Sequence, residues 1–93
     1  MLACSRIPCE GLAGLERDGC LAEQIKGTAS VAEVMRVAPT VRDTVVRDAV
    51  LIRWVDAHRS EIAPAQGEAL CALMTQQEGK ACLRKLSAAH LSP

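Results

Sequence analysis

The sequence predicts an all-α fold, a small bundle of four to five short helices around a central helix at about residues 40–59. Three observations favour this class. Apolar residues recur at intervals of three and four along most of the chain. Capping residues precede these segments, and glycine or proline residues follow several of them. No stretch alternates apolar and polar residues for long enough to predict an amphipathic strand.

Length and composition predict one domain with a thin core. The 93 residues include one Trp but neither Phe nor Tyr, so aliphatic side chains around Trp54 must supply the core. We expect residues 1–11 to form an irregular arm and residues 12–93 to form a single helical domain. A core with so few aromatic anchors also favours completion by a partner or by a second copy of the chain.

A first short helix is predicted over residues 19–26. Asp18 is a suitable N-cap, and Leu21 and Ile25 lie four residues apart on one face. Gly27 then stands where a left-handed residue commonly ends a helix. The pattern therefore predicts a one-faced helix that begins after Asp18.

A second short helix is predicted over residues 31–38. Ser30 and Glu33 form a capping-box pattern immediately before and within its first turn. Pro39 disfavours helical geometry at the residue before it, so the helix should end at Ala38. We expect a turn of two or three residues before the next helix.

The central helix is predicted from Thr40 to Arg59, with Thr40 as its N-cap and Asp43 completing a second capping pattern. It carries two offset apolar stripes. The first consists of Val41, Val45, Ala49 and Ile52, and the second of Val46, Val50, Trp54 and Ala57. Two stripes indicate contact from more than one side.

One of those sides is the predicted partner surface. Its residues are apolar and lie on the second stripe or beside it, and we expect them to form the interface of a homodimer or of a complex with another protein. They are Val46, Val50, Leu51, Trp54 and Ala57.

The C-terminal third is predicted to be helical from Pro64 onwards, because proline suits the first turn of a helix. Gly79 leaves two possibilities open. Two helices could meet there, over residues 68–78 and 80–91, or one bent helix could run through it. A capping pattern at Thr75 slightly favours the break.

Five cysteines raise the question of their redox state. Cys9 and Cys20 have the same spacing as Cys71 and Cys82, an arrangement that resembles the twin-cysteine helical hairpins of the mitochondrial intermembrane space, in which two disulfides join antiparallel helices. The alternative that we favour is reduced, half-buried thiols in a cytosolic protein. An intermolecular disulfide through Cys4 or Cys9 on the predicted arm is a further hypothesis.

No pattern predicts an active site, a cofactor or a metal site. The cysteine spacings lack the two close pairs that a zinc site needs, and His58 and His90 are isolated in sequence. A glycine-rich phosphate loop and a carboxylate pair on one helix face are also missing from the sequence. We therefore expect a protein that is not an enzyme.

One stretch suggests a different function. SVAEVMRVAPTVRDTVVR, residues 30–47, resembles the helix-turn-helix of winged-helix repressors, whose recognition helix opens with a similar V-S-x-x-T-V-R pattern. The resemblance implies a DNA-binding regulator that uses residues 30–53, with Arg42, Arg47 and Arg53 at phosphates or base edges.

Charge favours a protein partner over nucleic acid. The eleven basic and eleven acidic residues balance and stay mixed along the chain, so no basic patch is predicted. No apolar run approaches the roughly 20 residues of a membrane span. We expect a cytoplasmic, bacterial protein-interaction module, either a regulatory anti-activator, an adaptor or a small chaperone of a larger protein.

Overall fold

The computed structural model describes residues 9–91, with side chains described for residue 9 and residues 11–87. The all-α prediction is confirmed, and no strand occurs in this part of the chain. The five α-helices are α1 (Gly14–Lys26), α2 (Val31–Val37), α3 (Thr44–His58), α4 (Pro64–Cys71) and α5 (Gln76–Leu91). Three 3-10 turns accompany them, at Cys9–Gly11, Ala38–Thr40 and Arg59–Glu61.

The helices α1 and α3 run in the same direction. The Asp18 carboxylate in the first half of α1 accepts hydrogen bonds from the backbone just before α3, including Asp43 N–H at 2.9 Å. At the other end, the Trp54 indole N–H donates to the carbonyl of Thr28, just after α1, at 2.8 Å. Contacts that join start to start and end to end define a parallel pair.

The helix α5 continues this parallel row on the other side of α3. Thr75, the residue just before it, donates a hydrogen bond to Asp48 in the first half of α3, and Lys85 of α5 reaches Asp56 in the second half at 3.3 Å. The shorter helices α2 and α4 carry the chain back between the long ones and contact each other. The sequence-based prediction that the central helix is contacted from more than one side is confirmed, since α3 packs against both α1 and α5.

The beginning of α1 differs from the prediction. The helix starts at Gly14, which has a φ of 60°, and Asp18 lies inside it, buried with 4% of its surface exposed. Asp18 therefore caps a distant segment instead of its own helix. Gly27 ends the helix in a right-handed conformation, with φ −86°, so the predicted left-handed cap is wrong.

The beginning of α3 also differs. Ser30 caps α2 as predicted, accepting from Glu33 N–H at 3.2 Å, but the chain after Val37 continues as a 3-10 turn through Pro39. The central helix begins only at Thr44, because the Asp43 carboxylate accepts from the N–H groups of two first-turn residues. Val41 lies in the connection and is fully buried, which holds those residues out of the helix.

Near the C-terminus the chain breaks before Gly79, not at it. The helix α4 starts at Pro64, in agreement with the prediction, and ends at Cys71, after which a turn leads into α5. Gly79 lies within α5 and is buried against the end of α4: a Cβ atom there would lie 2.8 Å from the Cys71 carbonyl oxygen. The absence of a side chain allows this approach.

We predict that Gly79→Ala destabilises the protein although alanine favours helices. The backbone carbonyl of Cys71 cannot move aside easily, and the overpacking should cost about 1–3 kcal/mol of unfolding free energy. Gly19→Ala in α1 is the matched control. It meets no atom within 4 Å and should stabilise by about 0.5–1 kcal/mol. Urea denaturation followed by Trp54 fluorescence measures both, and equal effects would contradict the explanation.

The cysteines form two disulfides, so the expectation of reduced thiols is wrong. Cys9 is bonded to Cys20, and Cys71 to Cys82, each pair being separated by 11 positions in sequence. Each bond closes one local loop, unlike the cross-linked hairpin that the twin-cysteine resemblance implies. Cys9 is consequently not available for an intermolecular disulfide, and Cys4 lies outside the described residues.

The Asp18 carboxylate makes the contact between α1 and the start of α3 sensitive to acid. Hydrogen bonds from the N–H groups of Arg42 and then Asp43 lower the pKa of Asp18, with smaller help from the charges of Arg17 and Arg42, whereas burial opposes the shift. Because the folded pKa is depressed, this contribution is present above the ordinary Asp pKa of about 3.9 and is lost as the pH falls through the lower, folded pKa.

We therefore predict that stability falls with pH below about 4 and that Asp18→Asn flattens this dependence. The measurement is the urea midpoint at a series of pH values from 2 to 6 for both proteins. An unchanged pH profile in the Asn variant would rule out Asp18 as a source of the acid sensitivity.

Candidate functional site

The three long helices occupy equivalent positions in the fold. Asp18 is the fifth residue of α1 and Asp48 the fifth residue of α3, and both carboxylates are buried. Each accepts the backbone N–H of the residue that directly precedes the next long helix, Asp43 in one case and Thr75 in the other. The same device therefore joins α1 to α3 and α3 to α5.

The residues that precede each long helix are equivalent as well. Cys9, Pro39 and Cys71 each lie five residues before the first residue of a long helix and within a short helical segment. The seventh residue of the long helix faces this segment: it is Cys20 in α1 and Cys82 in α5, and each is bonded to the cysteine of its own segment. The fold is thus a helical repeat of three units, of the kind in which each unit contacts only its neighbours.

In α1 and in α3, one face of the helix points towards the next unit of the repeat. We define the outer stripe as the fifth, eighth, ninth and twelfth residues of a long helix, which share one face. In α1 and α3, which pack against the following long helix, these residues are buried or half-buried. They are Asp18, Leu21, Ala22 and Ile25 in α1, and Asp48, Leu51, Ile52 and Val55 in α3.

The outer stripe of α5 has no following helix among the described residues, and all four of its residues are exposed: Lys80, Leu83, Arg84 and Ser87. Leu83 is 43% exposed, whereas its equivalents Leu21 and Leu51 are 7% and 0% exposed. A lysine stands where the other two helices have a buried aspartate. We call this exposed outer stripe of α5, together with the adjoining surface of α4, the open end of the described repeat, and it is the candidate functional site.

A shallow groove of about 460 Å³ runs along the open end between α4 and α5. Its lining is mainly apolar or uncharged, apart from Glu68 on α4 and Lys80 on α5. Lys80 and Arg84 form no ion pair among the described residues, whereas Lys85 on the inner side pairs with Asp56. The site therefore combines one exposed leucine with two unpaired cations, and it can bind an apolar side chain flanked by carboxylates.

The residues predicted to form a dimer interface are placed elsewhere. Val50, Leu51 and Trp54 lie in the core of the monomer, each with at most 4% of its surface exposed. They cannot form an interface between folded chains, because the monomer already buries them. Val46 is half-buried and Ala57 is exposed, so the predicted set does not form one surface.

The arginines of the DNA-binding hypothesis do not lie on one helix face. Arg42 precedes α3, which begins two residues later, so the T-V-R stretch does not open a helix. Arg47 is half-buried and donates to the Val41 carbonyl at 3.2 Å, and Arg53 is exposed six residues further along the helix. The connection between α2 and α3 spans residues 38–43, longer than the predicted turn.

Sequence reasoning missed the repeat, although a signal is present. RDGCLAEQI at residues 17–25 and RDAVLIRWV at residues 47–55 share Arg, Asp and Leu in register and end on a buried aliphatic residue. The third unit reads GKACLRKLS at residues 79–87, which keeps the leucine and replaces the aspartate by Lys80. An alignment of these segments indicates that Leu83 is equivalent to Leu21 and Leu51.

Within residues 9–91, the described side chains, those of residue 9 and residues 11–87, include no group of three His, Cys, Asp or Glu arranged to hold a metal ion. None of the helices in that range combines the length and the apolar character needed to cross a membrane. Comparison with protein-family models, curated proteins and solved structures found no match.

Proposed function

We propose that the protein is a non-enzymatic protein-interaction module that binds a larger partner through the open end of its helical repeat. The observation that carries this proposal is the exposure of Leu83 at a position where the two preceding units bury a leucine beneath the next helix. Stacked helical repeats offer such extended surfaces to partners. A bacterial anti-activator, adaptor or small chaperone would use a surface of this kind.

The homodimer hypothesis needs a different surface from the one predicted from sequence. A second copy of the chain is one candidate partner for the open end, with Leu83 replacing Val50, Leu51 and Trp54 as its apolar centre. Light scattering after size exclusion, at several concentrations and with Leu83→Ser as comparison, distinguishes a self-associating protein from a monomer that waits for another partner.

Site-specific photocrosslinking tests the proposal in a lysate of the source cells. A photoreactive residue at Ser87, on the α5 stripe, should give a discrete adduct that disappears when Leu83 is also changed to Glu. The same residue at Ala32, exposed on α2, should give no such adduct. Adducts of equal yield at both positions, or adducts unaffected by Leu83→Glu, would overturn the proposal.

The two disulfides bear on where this function is exercised. Disulfides persist in oxidising compartments and are rare in the cytosol, so they support a compartment outside the cytoplasm over the cytoplasmic location predicted from composition. Trapping the thiols by alkylation as the cells are lysed decides between the two. Four cysteines that react only after reduction support the oxidising compartment, and four that react at once support the cytoplasm.

A further inference from the structure

We propose that the occupant of the open end is an acidic amphipathic helix of the partner, which packs on the outer stripe of α5 and runs antiparallel to it. This inference rests on the protein-binding function proposed above and specifies its ligand. It follows from how the fold itself joins one long helix to the next and from the stripe positions, the fifth and the ninth above all, at which α5 departs from α1 and α3.

The internal interfaces show what an outer stripe binds. At α1 and α3 the stripe receives another helix, and an apolar residue at its eighth position is covered by that helix. The stripe of α5 keeps the leucine, Leu83, and lies beside a groove of about 460 Å³. A helix that presents apolar residues at intervals of three and four is the shape that such a stripe accommodates.

The charge of the stripe selects the ligand. The ninth position is an alanine in α1 and an isoleucine in α3 but an arginine in α5, and the fifth position changes from aspartate to lysine. Arg84 and Lys80 are exposed and have no acidic partner among the described residues, and Glu68 is the one acidic side chain that lines the groove. A helix with carboxylates beside its apolar stripe complements this surface, whereas a basic helix is repelled.

The fifth position also sets the direction of the bound helix. Asp18 and Asp48 accept N–H groups at the start of the next helix, and this end of a helix carries partial positive charge, so those helices run parallel. Lys80 stands at the same place with the opposite charge. It favours the C-terminal end of a helix, where carbonyl groups carry partial negative charge, and this end lies at Lys80 only if the bound helix is antiparallel to α5.

The test uses a synthetic helical peptide of about 16 residues with a leucine stripe and glutamates on either side, labelled with fluorescein. Anisotropy titrations at low salt should show saturable binding to the wild-type protein. The double variant Lys80→Glu, Arg84→Glu should weaken binding at least about tenfold and should instead bind the peptide in which every glutamate is replaced by lysine. Leu83→Ser should weaken binding of the acidic peptide about tenfold without favouring the basic one.

Two control variants distinguish an effect of the stripe residues from a general effect of net charge or of an exposed leucine. Arg53→Glu, Arg59→Glu changes the net charge equally at exposed sites outside the stripe, and Leu15→Ser removes another exposed leucine, 70% exposed on α1. Both should bind the acidic peptide within about twofold of wild type. Circular dichroism and Trp54 fluorescence confirm that every variant is folded.

Crosslinking measures the direction in which the bound peptide helix runs. A photoreactive residue at Gln76, the exposed first residue of α5 in the same groove, leaves Lys80 in place and should crosslink to the C-terminal turn of the peptide, and one at Ser87 to its N-terminal half. The proposal is overturned if wild-type protein does not bind the acidic peptide, if the control pair loses as much affinity as the stripe pair, or if the crosslinks report a parallel helix. A native partner crosslinked at Ser87 through a basic or non-helical segment would overturn this proposal while leaving the protein-binding function in place.

Discussion

Reduction of both disulfides is expected to lower the free energy of unfolding by about 5 kcal/mol. Each bond joins cysteines 11 positions apart, and closing a loop of that length contributes a little under about 3 kcal/mol in the chain-entropy estimate. A domain of this size has a total stability of about 5–14 kcal/mol. Reduction should therefore remove between about a third and all of the stability of the folded protein.

The measurement is urea denaturation followed by Trp54 fluorescence, with and without a phosphine reductant. The variants Cys9→Ser, Cys20→Ser and Cys71→Ser, Cys82→Ser assign the loss to each bond, in a Cys4→Ser background that prevents exchange. The two effects should add, because α3 lies between the two bonded units. Full reduction confirmed by mass, with an unchanged urea midpoint, would contradict this account.

Replacement of Asp48 by alanine is expected to cost about 3 kcal/mol. Its carboxylate accepts from the Thr75 N–H at 3.0 Å and from the Thr75 hydroxyl at 2.7 Å, in a position with 9% of the residue exposed. A hydrogen bond to a charged group contributes about 1.5–3 kcal/mol, and the Ala variant also leaves the Thr75 N–H without its acceptor. The start of α5 should loosen first.

A double-mutant cycle isolates this contact. Thr75→Val removes only the hydroxyl bond and should cost about 1.5 kcal/mol, while the Asp48→Ala, Thr75→Val pair should cost less than the sum of the single changes by about 1–2 kcal/mol. Faster amide exchange at Gly79, whose N–H donates to the Thr75 carbonyl at 2.7 Å, should accompany the loss in Asp48→Ala. Strictly additive losses would show that the two side chains are not coupled.

These two contacts also bear on the open end of the repeat. The Cys71–Cys82 disulfide and the Asp48–Thr75 bonds both hold the first half of α5, which carries Lys80 and the beginning of the outer stripe. If α5 is displaced, Leu83 and Arg84 no longer lie in the positions that the equivalent residues of α1 and α3 occupy. Variants at Asp48 or at the disulfide should therefore weaken partner binding because α5 loses order. Leu83→Ser should weaken it in a protein whose α5 remains in place.

The local signals in the sequence identified several helix ends correctly. Ser30 caps α2 and Pro64 begins α4, because a hydroxyl three residues from an N–H group and a proline in a first turn act within one turn of the chain. The all-α class followed from the same short-range periodicity. Each of these features depends on residues three or four positions apart.

The positions of the other helix starts could not be derived in this way. The sequence pattern predicts Asp18 as a local cap, but its carboxylate binds N–H groups 24 and 25 positions away, and Asp48 binds Thr75 across 27 positions. Nothing in the neighbourhood of either aspartate distinguishes a local cap from a distant one. Likewise, the apolar character of Val50 and Trp54 was evident, but not whether a partner or the chain itself covers them.

The sequence by itself determined that the chain is all-helical, that its charges are balanced and that aliphatic side chains around a single tryptophan must form its core. The tertiary structure decided which outer stripe stays exposed, which cysteines pair and which direction each helix takes. The reason is one of range: periodicity and capping are properties of single turns, whereas the burial of Leu21 and Leu51 and the exposure of Leu83 depend on whether another helix follows in space.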